Sequence, residues 1–478
     1  MKTGIVWLRR DLRLSDNHAL YRAVRTCERI AIAFVVNPPL LDDGRIGSPI
    51  ATSFFSAVGS LRADLRKRGS DLAVLRGDFA EELAAFCART RASDVFFNED
   101  FEPGAIARDA AVRSALEASG IAVHATLDHV YFGAGEVLNR TGEPYRVFSP
   151  YQRHWLEQRA VAPRLPFPSD GTWLDRRLVS ATELGATSPS PVPEMFGLQT
   201  IPVWNAMSEN AARARLLRFL KTAAGDYEQA RNVPGLQATS RLSADLRAGT
   251  IGIRTCVESA FRSARGATPA HRRSIERWIS ELIWRDFYQS ILRAYPHVER
   301  DAFQPAAANI AWRDAPDDFR AWCEGRTGYP MVDAGMRQLN ATGWMHNRAR
   351  MIVASFLTKH LLIDWRHGER YFAQRLADAD LAQNNGGWQW AASTGTDAVS
   401  YFRVFNPTVQ GKQFDPLGRY VKQFVPELNA VPEAYVHEPW LMPALCPGYP
   451  PPIVEHRHAR ERAIRVYREA FAHHERGQ

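Results

Sequence analysis

The sequence contains few features that would place a protein in a membrane, outside the cell or around a metal ion. No run of about 18 apolar residues occurs, so the length needed for a membrane-spanning helix is missing. The N-terminal residues enter a polar, arginine-rich stretch without the apolar core of a signal peptide, which predicts a cytoplasmic protein. The five cysteines are scattered and form no Cys-x-x-Cys pair, which predicts neither a metal site nor a disulfide framework.

The Gly-x-Gly-x-x-Gly fingerprint of dinucleotide-binding folds is also missing after the first apolar run. Short apolar runs at residues 4–8, 30–36, 72–75, 95–98 and 122–126 alternate with helical patterns such as 52–68 and 81–90. This alternation predicts an α/β domain with a doubly wound parallel sheet over residues 1–127. Prolines interrupt residues 128–200, which predicts a linker, and residues 201–478 are predicted to form a larger all-α domain.

A formal charge of +8 favours a polyanionic partner, although many basic proteins bind no nucleic acid. Within residues 225–243, a helix is expected to begin near Ser243. Just before it lie hydroxyls, a guanidinium and free backbone N–H groups, carried by Thr239, Ser240 and Arg241. Together these donors are suited to binding phosphate oxygens. The alternative interpretation is a serine that only caps the helix.

Residues 274–295 are predicted to form a helix with an unusual face. An arc of roughly 120° on the helical wheel carries Trp278, Glu281, Trp284, Arg285 and Tyr288. A glutamate among aromatic side chains is atypical of a plain core face. The alternative is an ion pair within the helix between Glu281 and Arg285.

Two later segments combine arginines, acids and tryptophans. One face of a predicted helix at residues 343–351 carries Asn347, Arg350 and Met351, and arginines there are expected to meet acids or phosphates unless solvent surrounds them. Residues 376–390 supply the acids Asp378 and Asp380. No third and fourth ligand follows at a suitable spacing, so we expect no metal. The same segment also contains Asn384, Trp388 and Trp390.

Together these segments resemble the photolyase/cryptochrome family. The similar stretches are residues 7–17, 239–243, 278–288, 344–351 and 378–410, of which the run at 384–397 is very specific. The chain is most similar to bacterial class I and class III photolyases, which repair cyclobutane pyrimidine dimers in double-stranded DNA with blue light. The resemblance implies a monomer with an N-terminal α/β domain and a helical C-terminal domain that binds folded FAD, in agreement with the missing fingerprint.

By resemblance, two sets of residues hold the FAD, which is reduced and anionic when active. The phosphate and ribose side is expected to contact Tyr227, Thr239, Ser240, Arg241, Leu242 and Ser243. The flavin ring is expected to lie among Trp278, Asn347, Arg350, Asp378, Asp380 and Asn384. A charge pair of Arg350 with Asp378 beside the ring would favour the anionic flavin in a site of low dielectric.

The resemblance also assigns contacts to a dimer that is flipped out of the duplex, as photolyases do. Trp284 and Trp390 are expected to form apolar walls around it. Glu281 is expected to hydrogen-bond the thymine edge and to stabilise the radical anion. The predicted catalytic residues are Glu281, Asn347 and Asn384. Further expected contacts with DNA or the lesion are Arg231, Arg285, Tyr288, Asn347, Arg348, Met351, Arg403, Gln410 and Lys412.

Three tryptophans match the family's electron-transfer chain from the flavin toward the surface. They are Trp388, Trp365 and Trp312, and packing in the core is the alternative role for each. The expected role of the chain is photoreduction of oxidised FAD, which is separate from repair.

Other functions within and outside the family fit less well. A cryptochrome photosensor is the main alternative, and two features oppose it. By resemblance, Asn384 would face flavin N5, a position at which plant cryptochromes have an aspartate. In addition, no long C-terminal extension follows the core. A 6–4 photolyase would have a pair of histidines at the positions of Asn347 and Met351, and neither position is a histidine here. A basic DNA-binding protein without catalysis would leave the flavin residues unexplained.

The antenna pigment is expected to be either 8-hydroxy-deazaflavin or 5,10-methenyltetrahydrofolate. Residues 98–105 lie in the family's antenna region. Many folate-binding members carry Asn-Glu where this chain has Gly104 and Ala105. Asp100 and Glu102 look more like the deazaflavin group, and a class III folate site stays open.

Overall fold

The computed structural model describes residues 1–41, 44–185, 187–202 and 205–476. The chain divides into two compact units. The first unit contains residues 1–228 and 240–294, and the second contains residues 229–239 and the residues from 295 onward. The domain boundaries predicted at residues 127 and 200 stay predictions.

A five-stranded parallel sheet forms the centre of the first unit, which confirms the predicted fold class. The strands are β1 (Thr3–Leu8), β2 (Arg29–Val36), β3 (Leu72–Arg76), β4 (Asp94–Asn98) and β5 (Ala122–Thr126). Their order across the sheet is β3-β2-β1-β4-β5, so the direction of winding reverses between β1 and β4. Ligands of open α/β sheets bind at the carboxyl ends of the strands beside such a switch point.

Helices cover both faces of this sheet because successive side chains of a strand point to opposite faces. In β1, Val6 and Leu8 join one buried cluster, while Ile5 and Trp7 join the other. The helices of this part of the chain are α1 (His18–Thr26), α2 (Pro38–Leu41), α3 (Ser48–Lys67), α4 (Phe79–Thr90) and α5 (Pro103–Ala118).

The segment predicted as a linker contains a helix that the sequence analysis did not identify. This is α6 (Phe148–Val161), which buries Phe148, Tyr151 and Trp155 and packs against a later helix. The helices that follow in the chain are α7 (Thr172–Asp175), α8 (Ala181–Leu184), α9 (Glu209–Thr222), α10 (Tyr227–Ala230), α11 (Ser243–Ala248), α12 (Ile253–Arg265) and α13 (Pro269–Ala294).

The second unit is helical, as predicted. Its α-helices are α14 (Pro316–Glu324), α15 (Pro330–Thr342), α16 (Asn347–Ser355), α17 (Trp365–Arg375), α18 (Leu381–Ala392), α19 (Pro407–Phe414), α20 (Arg419–Phe424) and α21 (His456–Arg476), and one π-helical turn (Phe356–His360) follows α16. A large apolar core joins α15, α16, α17 and α18. Across the described residues, no helix has both the length and the apolar character to cross a bilayer.

Candidate functional site

Helix α13 carries the predicted aromatic face of the first unit. Trp278 is buried, with its ring centroid 5.0 Å from that of Phe219, whereas Glu281, Trp284 and Tyr288 are half-buried. The rings of Trp284 and Tyr288 lie 5.3 Å apart at an angle of 33°. This part of α13 therefore offers aromatic surface and one carboxylate to a ligand.

The ionic contacts of this face differ from the simple alternative of a Glu281–Arg285 pair. The Oε1 of Glu281 lies 3.9 Å from the Nε of Arg277, one turn earlier. Arg285 is buried, and its guanidinium donates to the backbone carbonyl of His129. Its predicted contact with DNA stays a prediction, but the structure also shows a role for Arg285 inside the first unit.

The predicted phosphate segment turns sharply before α11. The helix begins at Ser243, as predicted, but Leu242 occupies the cap position, so the alternative of a simple serine cap is wrong. Arg241 adopts a positive φ of 52°, which is uncommon for a residue other than glycine, and its carbonyl accepts a hydrogen bond from the Nδ2 of Asn205 at 3.0 Å. Tyr227 is buried and packs edge-on against Phe219 at 5.8 Å.

In the second unit, α16 places Arg350 beside Asp378, as the sequence analysis predicted. The Nη2 of Arg350 lies 2.8 Å and 3.1 Å from the two carboxylate oxygens, and its Nε donates to the carbonyl of Met345 at 2.9 Å. Asp378 is buried and Arg350 is half-buried. Asn347 is the exposed first residue of α16. The arginine therefore has a fixed position and a neutralising partner.

The remaining predicted flavin residues lie at the start of α18. Asp380 is buried in the position before the helix, and its carbonyl accepts a hydrogen bond from the backbone N–H of Asn384 at 2.8 Å. The Nδ2 of Asn384 donates to the carbonyl of Glu369 at 2.9 Å. Among the described residues, no three or more His, Cys, Asp or Glu side chains form a cluster that could hold a metal ion.

Arg348 lies close to two other arginines that are predicted to contact DNA. Burial lowers the pKa of Arg348, and the neighbouring Arg231 and Arg403 lower it further. The Nη2 of Arg348 donates to the Oδ1 of Asn232 at 2.7 Å, and its guanidinium lies 4.3 Å from the Phe414 ring centroid. An arginine that is influenced by two other arginines in this way is suited to binding an anion such as a phosphate.

The other residues of this unit that are predicted to contact DNA or the lesion differ in their neighbours and are mostly half-buried. Lys412 forms an ion pair with Glu438, and Trp390 packs against the apolar core while staying half-buried. Met351 and Gln410 are half-buried.

The three predicted electron-transfer tryptophans differ in burial. Trp388 and Trp365 are 2% and 1% exposed, whereas Trp312 is half-buried and lies edge-on to Tyr467 at 5.9 Å. Of the three, only Trp312 is partly exposed, and the electron-transfer role of the three tryptophans stays a prediction. A further buried tryptophan, Trp322, packs beside Trp388, with the two ring centroids 6.0 Å apart. The sequence shows that residue 322 is a tryptophan, but its contact with Trp388 depends on how α14 packs against the core.

The carboxyl ends of β1 and β4 carry a dense charge network at the switch point. The Nη1 of Arg10 lies 3.2 Å from Asp100 and 2.6 Å from Glu102. Arg9 pairs with Asp109 and stacks over the Trp7 ring at 4.5 Å. The two acids of the predicted antenna region thus lie beside one arginine.

Two family models match long segments of the chain, and curated relatives match nearly all of it. Residues 4–169 match the model described as DNA photolyase, and residues 278–469 match the model described as the FAD binding domain of DNA photolyase. A Salmonella typhimurium protein named deoxyribodipyrimidine photo-lyase is 40% identical over 98% of this chain and 99% of its own length.

Solved structures agree with these matches. A bacterial class III photolyase from Agrobacterium tumefaciens is similar with a TM-score of 0.88 and 34% identity over 98% of both chains. A cryptochrome from Synechocystis is similar with a TM-score of 0.86 and 26% identity, over 98% of this chain and 99% of that one. The chain therefore belongs to the DNA photolyase family.

Proposed function

We propose that this chain repairs cyclobutane pyrimidine dimers in double-stranded DNA with blue light, as a deoxyribodipyrimidine photo-lyase. The observation that carries the proposal is the Arg350–Asp378 ion pair, which lies inside the segment that matches a FAD-binding domain. Reduced FAD, when bound, supplies the absorption of blue light and the single electron that opens the cyclobutane ring. The chain supplies binding, orientation and charge.

The donor groups of the described residues fit FAD. Ser240 and Ser243 carry hydroxyls next to the first turn of α11, which suits phosphate oxygens, and the buried rings of Tyr227 and Trp278 suit the apolar parts of the cofactor. In the second unit, the Arg350 guanidinium, which its ion pair with Asp378 holds in place, would direct its positive side toward an anionic flavin. The residues proposed to hold FAD are Tyr227, Thr239, Ser240, Arg241, Leu242, Ser243, Trp278, Arg350, Asp378 and Asp380, with Asn347 and Asn384 beside the flavin ring.

For the substrate, we propose that Trp284 and Trp390 form the walls around the flipped dimer. Stacking on an aromatic side chain is worth about 1–3 kcal/mol per base, which offsets part of the cost of removing the dimer from the duplex. Glu281 hydrogen-bonds the thymine edge and stabilises the negative charge on the dimer. Its half-buried position on the same helix as Trp284 supports this role.

We propose that the cluster of Arg348, Arg231 and Arg403 contacts the DNA backbone. The support is that Arg348 is close enough to Arg231 and to Arg403 for both charges to lower its pKa, since neighbouring like charges favour an anionic partner. Tyr288, Met351, Gln410 and Lys412 stay predicted contacts of the DNA or the lesion. The monomeric state and the cytoplasmic location also stay predictions.

We also propose that an antenna pigment binds at the carboxyl ends of β1 and β4. Asp100 and Glu102, whose resemblance to the deazaflavin-binding group favours that alternative, lie there beside Arg10. The absorption spectrum of the pigment released from purified protein distinguishes the two. A methenyltetrahydrofolate spectrum would contradict the deazaflavin assignment.

The repair function is tested with purified, chemically reduced protein and an oligonucleotide that carries one thymine dimer. Under blue light, the absorbance of intact thymine should recover over many turnovers, and a dark sample should show no change. A protein that binds FAD and bleaches under light but never restores thymine would be a photosensor of the cryptochrome kind. Repair that proceeds after complete removal of the flavin would contradict the proposed chemistry.

A further inference from the structure

Trp284, the proposed wall of the lesion site, has one face covered by another aromatic ring. The ring centroids of Trp284 and Phe148 lie 3.7 Å apart, and the planes are within 8° of parallel. Phe148 is only 5% exposed, whereas Trp284 is half-buried. With Phe148 stacked on one side of the indole, a base can stack at most on the opposite side, and the tilted Tyr288 ring lies 5.3 Å from the indole as well.

Phe148 is the first residue of α6, and α6 is held against α13 by contacts that do not involve Trp284. Its buried positions 148, 151 and 155 recur at the helical spacing of three and four residues, so they form one face. The Nε1 of Trp155 donates to Asp286 at 3.0 Å, and the Tyr151 ring packs against Phe287 at 5.3 Å.

The backbone before α6 is attached to the same carboxylate. Asp286 accepts hydrogen bonds from the backbone N–H groups of Tyr131 at 3.1 Å and Phe132 at 3.3 Å. Asp286 lies two residues after Trp284 on α13. The position of the Phe148 ring is therefore set by the fold, and the ring can act as a fixed support for the indole.

We infer that Phe148 is a positioning residue for lesion binding, which holds the Trp284 indole in the plane that a flipped pyrimidine stacks on. A tryptophan without this support would lose side-chain rotational freedom when a base stacks on it, and that loss would weaken binding. With Phe148 in place, the Trp284 side chain loses this rotational freedom when the protein folds and not when the base binds. The inference rests on the proposed role of Trp284 and assigns a function to a segment that the sequence predicted only as a linker.

The test is a double-mutant cycle of Phe148→Met and Trp284→Leu, with binding measured in the dark. Methionine keeps the apolar volume of the site but has no flat ring, so the fold should persist. Each protein is titrated with dimer-containing and undamaged duplexes of one sequence. Phe148→Met should lower the ratio of the two affinities by about 3- to 10-fold, the factor typical of one aromatic pair.

Two further variants separate positioning from a general loss of stability. Phe148→Tyr keeps the ring and should restore the affinity ratio. Phe86→Met makes the same change at a buried position in the sheet core and should leave the ratio unchanged. In the double variant, Phe148→Met should add nothing to the loss caused by Trp284→Leu.

Three outcomes would overturn the inference. In the first, Phe148→Met keeps the full affinity ratio while Trp284→Leu lowers it. In the second, the effects of the two substitutions simply add. If Trp284→Leu itself leaves the ratio unchanged, the proposed wall is wrong, and the role of Phe148 falls with it.

Discussion

At the scale of single residues, burial and hydrogen bonding have opposite effects on the pKa of Asp286. Burial raises its pKa to about 6, although hydrogen bonds from Trp155 and from the Phe132 and Tyr131 N–H groups, together with the nearby Arg285, act to lower it. The folded state therefore holds the Asp286 proton more tightly than the unfolded chain does, where the pKa is 3.8. The contribution of this group to stability is fully present below about pH 4 and is lost as the pH rises to about 6.

Asp286→Asn should remove this pH dependence, because an amide keeps an acceptor oxygen and carries no charge. The stability of the variant relative to the parent protein should rise between pH 4 and pH 6, by an amount on the order of 3 kcal/mol at most. Thermal unfolding followed by circular dichroism at several pH values measures the difference. Unfolding midpoints that stay a constant distance apart would show that Asp286 does not titrate in this range.

A second prediction about a single residue concerns Arg348 and the salt dependence of DNA binding. If it contacts one phosphate, Arg348→Ala should lower the slope of log affinity against log salt concentration by about 1. Arg457→Ala is the matched control, since it removes one positive charge from a side chain that is 82% exposed on α21. An unchanged slope for Arg348→Ala would place this arginine at the lesion or in the fold instead of at the backbone of DNA.

At the scale of helices, α17 and α18 approach so closely that only glycine fits at one position. A Cβ atom on Gly368 would overlap the ring of Trp388. Gly368→Ala should therefore displace this tryptophan, cost about 1–3 kcal/mol of stability through overpacking, and slow photoreduction of the flavin. Flash photolysis and thermal unfolding measure the two effects.

The control for this change lies on the neighbouring helix. Gly387 is also inside a helix, but a Cβ atom there meets nothing within 4 Å. Gly387→Ala should be neutral or stabilise the protein by about 0.5–1 kcal/mol through helix propensity. Equal effects of the two substitutions would mean that the contact of Gly368 with Trp388 does not matter.

The same scale shows what sequence patterns can and cannot predict. All five strands were predicted to within one residue at each end, because their apolar runs are short and bounded by helical periodicity. Helix α6 was missed, because its three buried aromatics are spread over eight positions between proline-rich stretches. The Arg350–Asp378 pair was predicted through family motifs, whereas the stacking of Phe148 on Trp284 joins residues far apart in sequence and needed the fold.

At the scale of the whole molecule, the proposed repair residue and the proposed electron-transfer chain belong to different compact units. Glu281 is in the first unit, and Trp312, Trp365 and Trp388 are in the second. The two roles also differ chemically, since Glu281 acts on the substrate and the tryptophans act on the oxidised cofactor. Substitutions in the two units should therefore separate repair from photoreduction.

Trp365→Phe keeps an aromatic ring in the core but makes that position harder to oxidise. It should block photoreduction of oxidised FAD by external donors and leave repair intact once FAD has been reduced chemically. Glu281→Ala should do the opposite, because losing a hydrogen-bonding partner of the dimer anion costs on the order of 1–3 kcal/mol, while the tryptophans are unchanged. Two light titrations measure this, one following the flavin spectrum and one following thymine absorbance. Loss of repair in pre-reduced Trp365→Phe protein would show that this tryptophan serves repair itself, and an unchanged repair yield in Glu281→Ala would show that the glutamate does not act on the dimer.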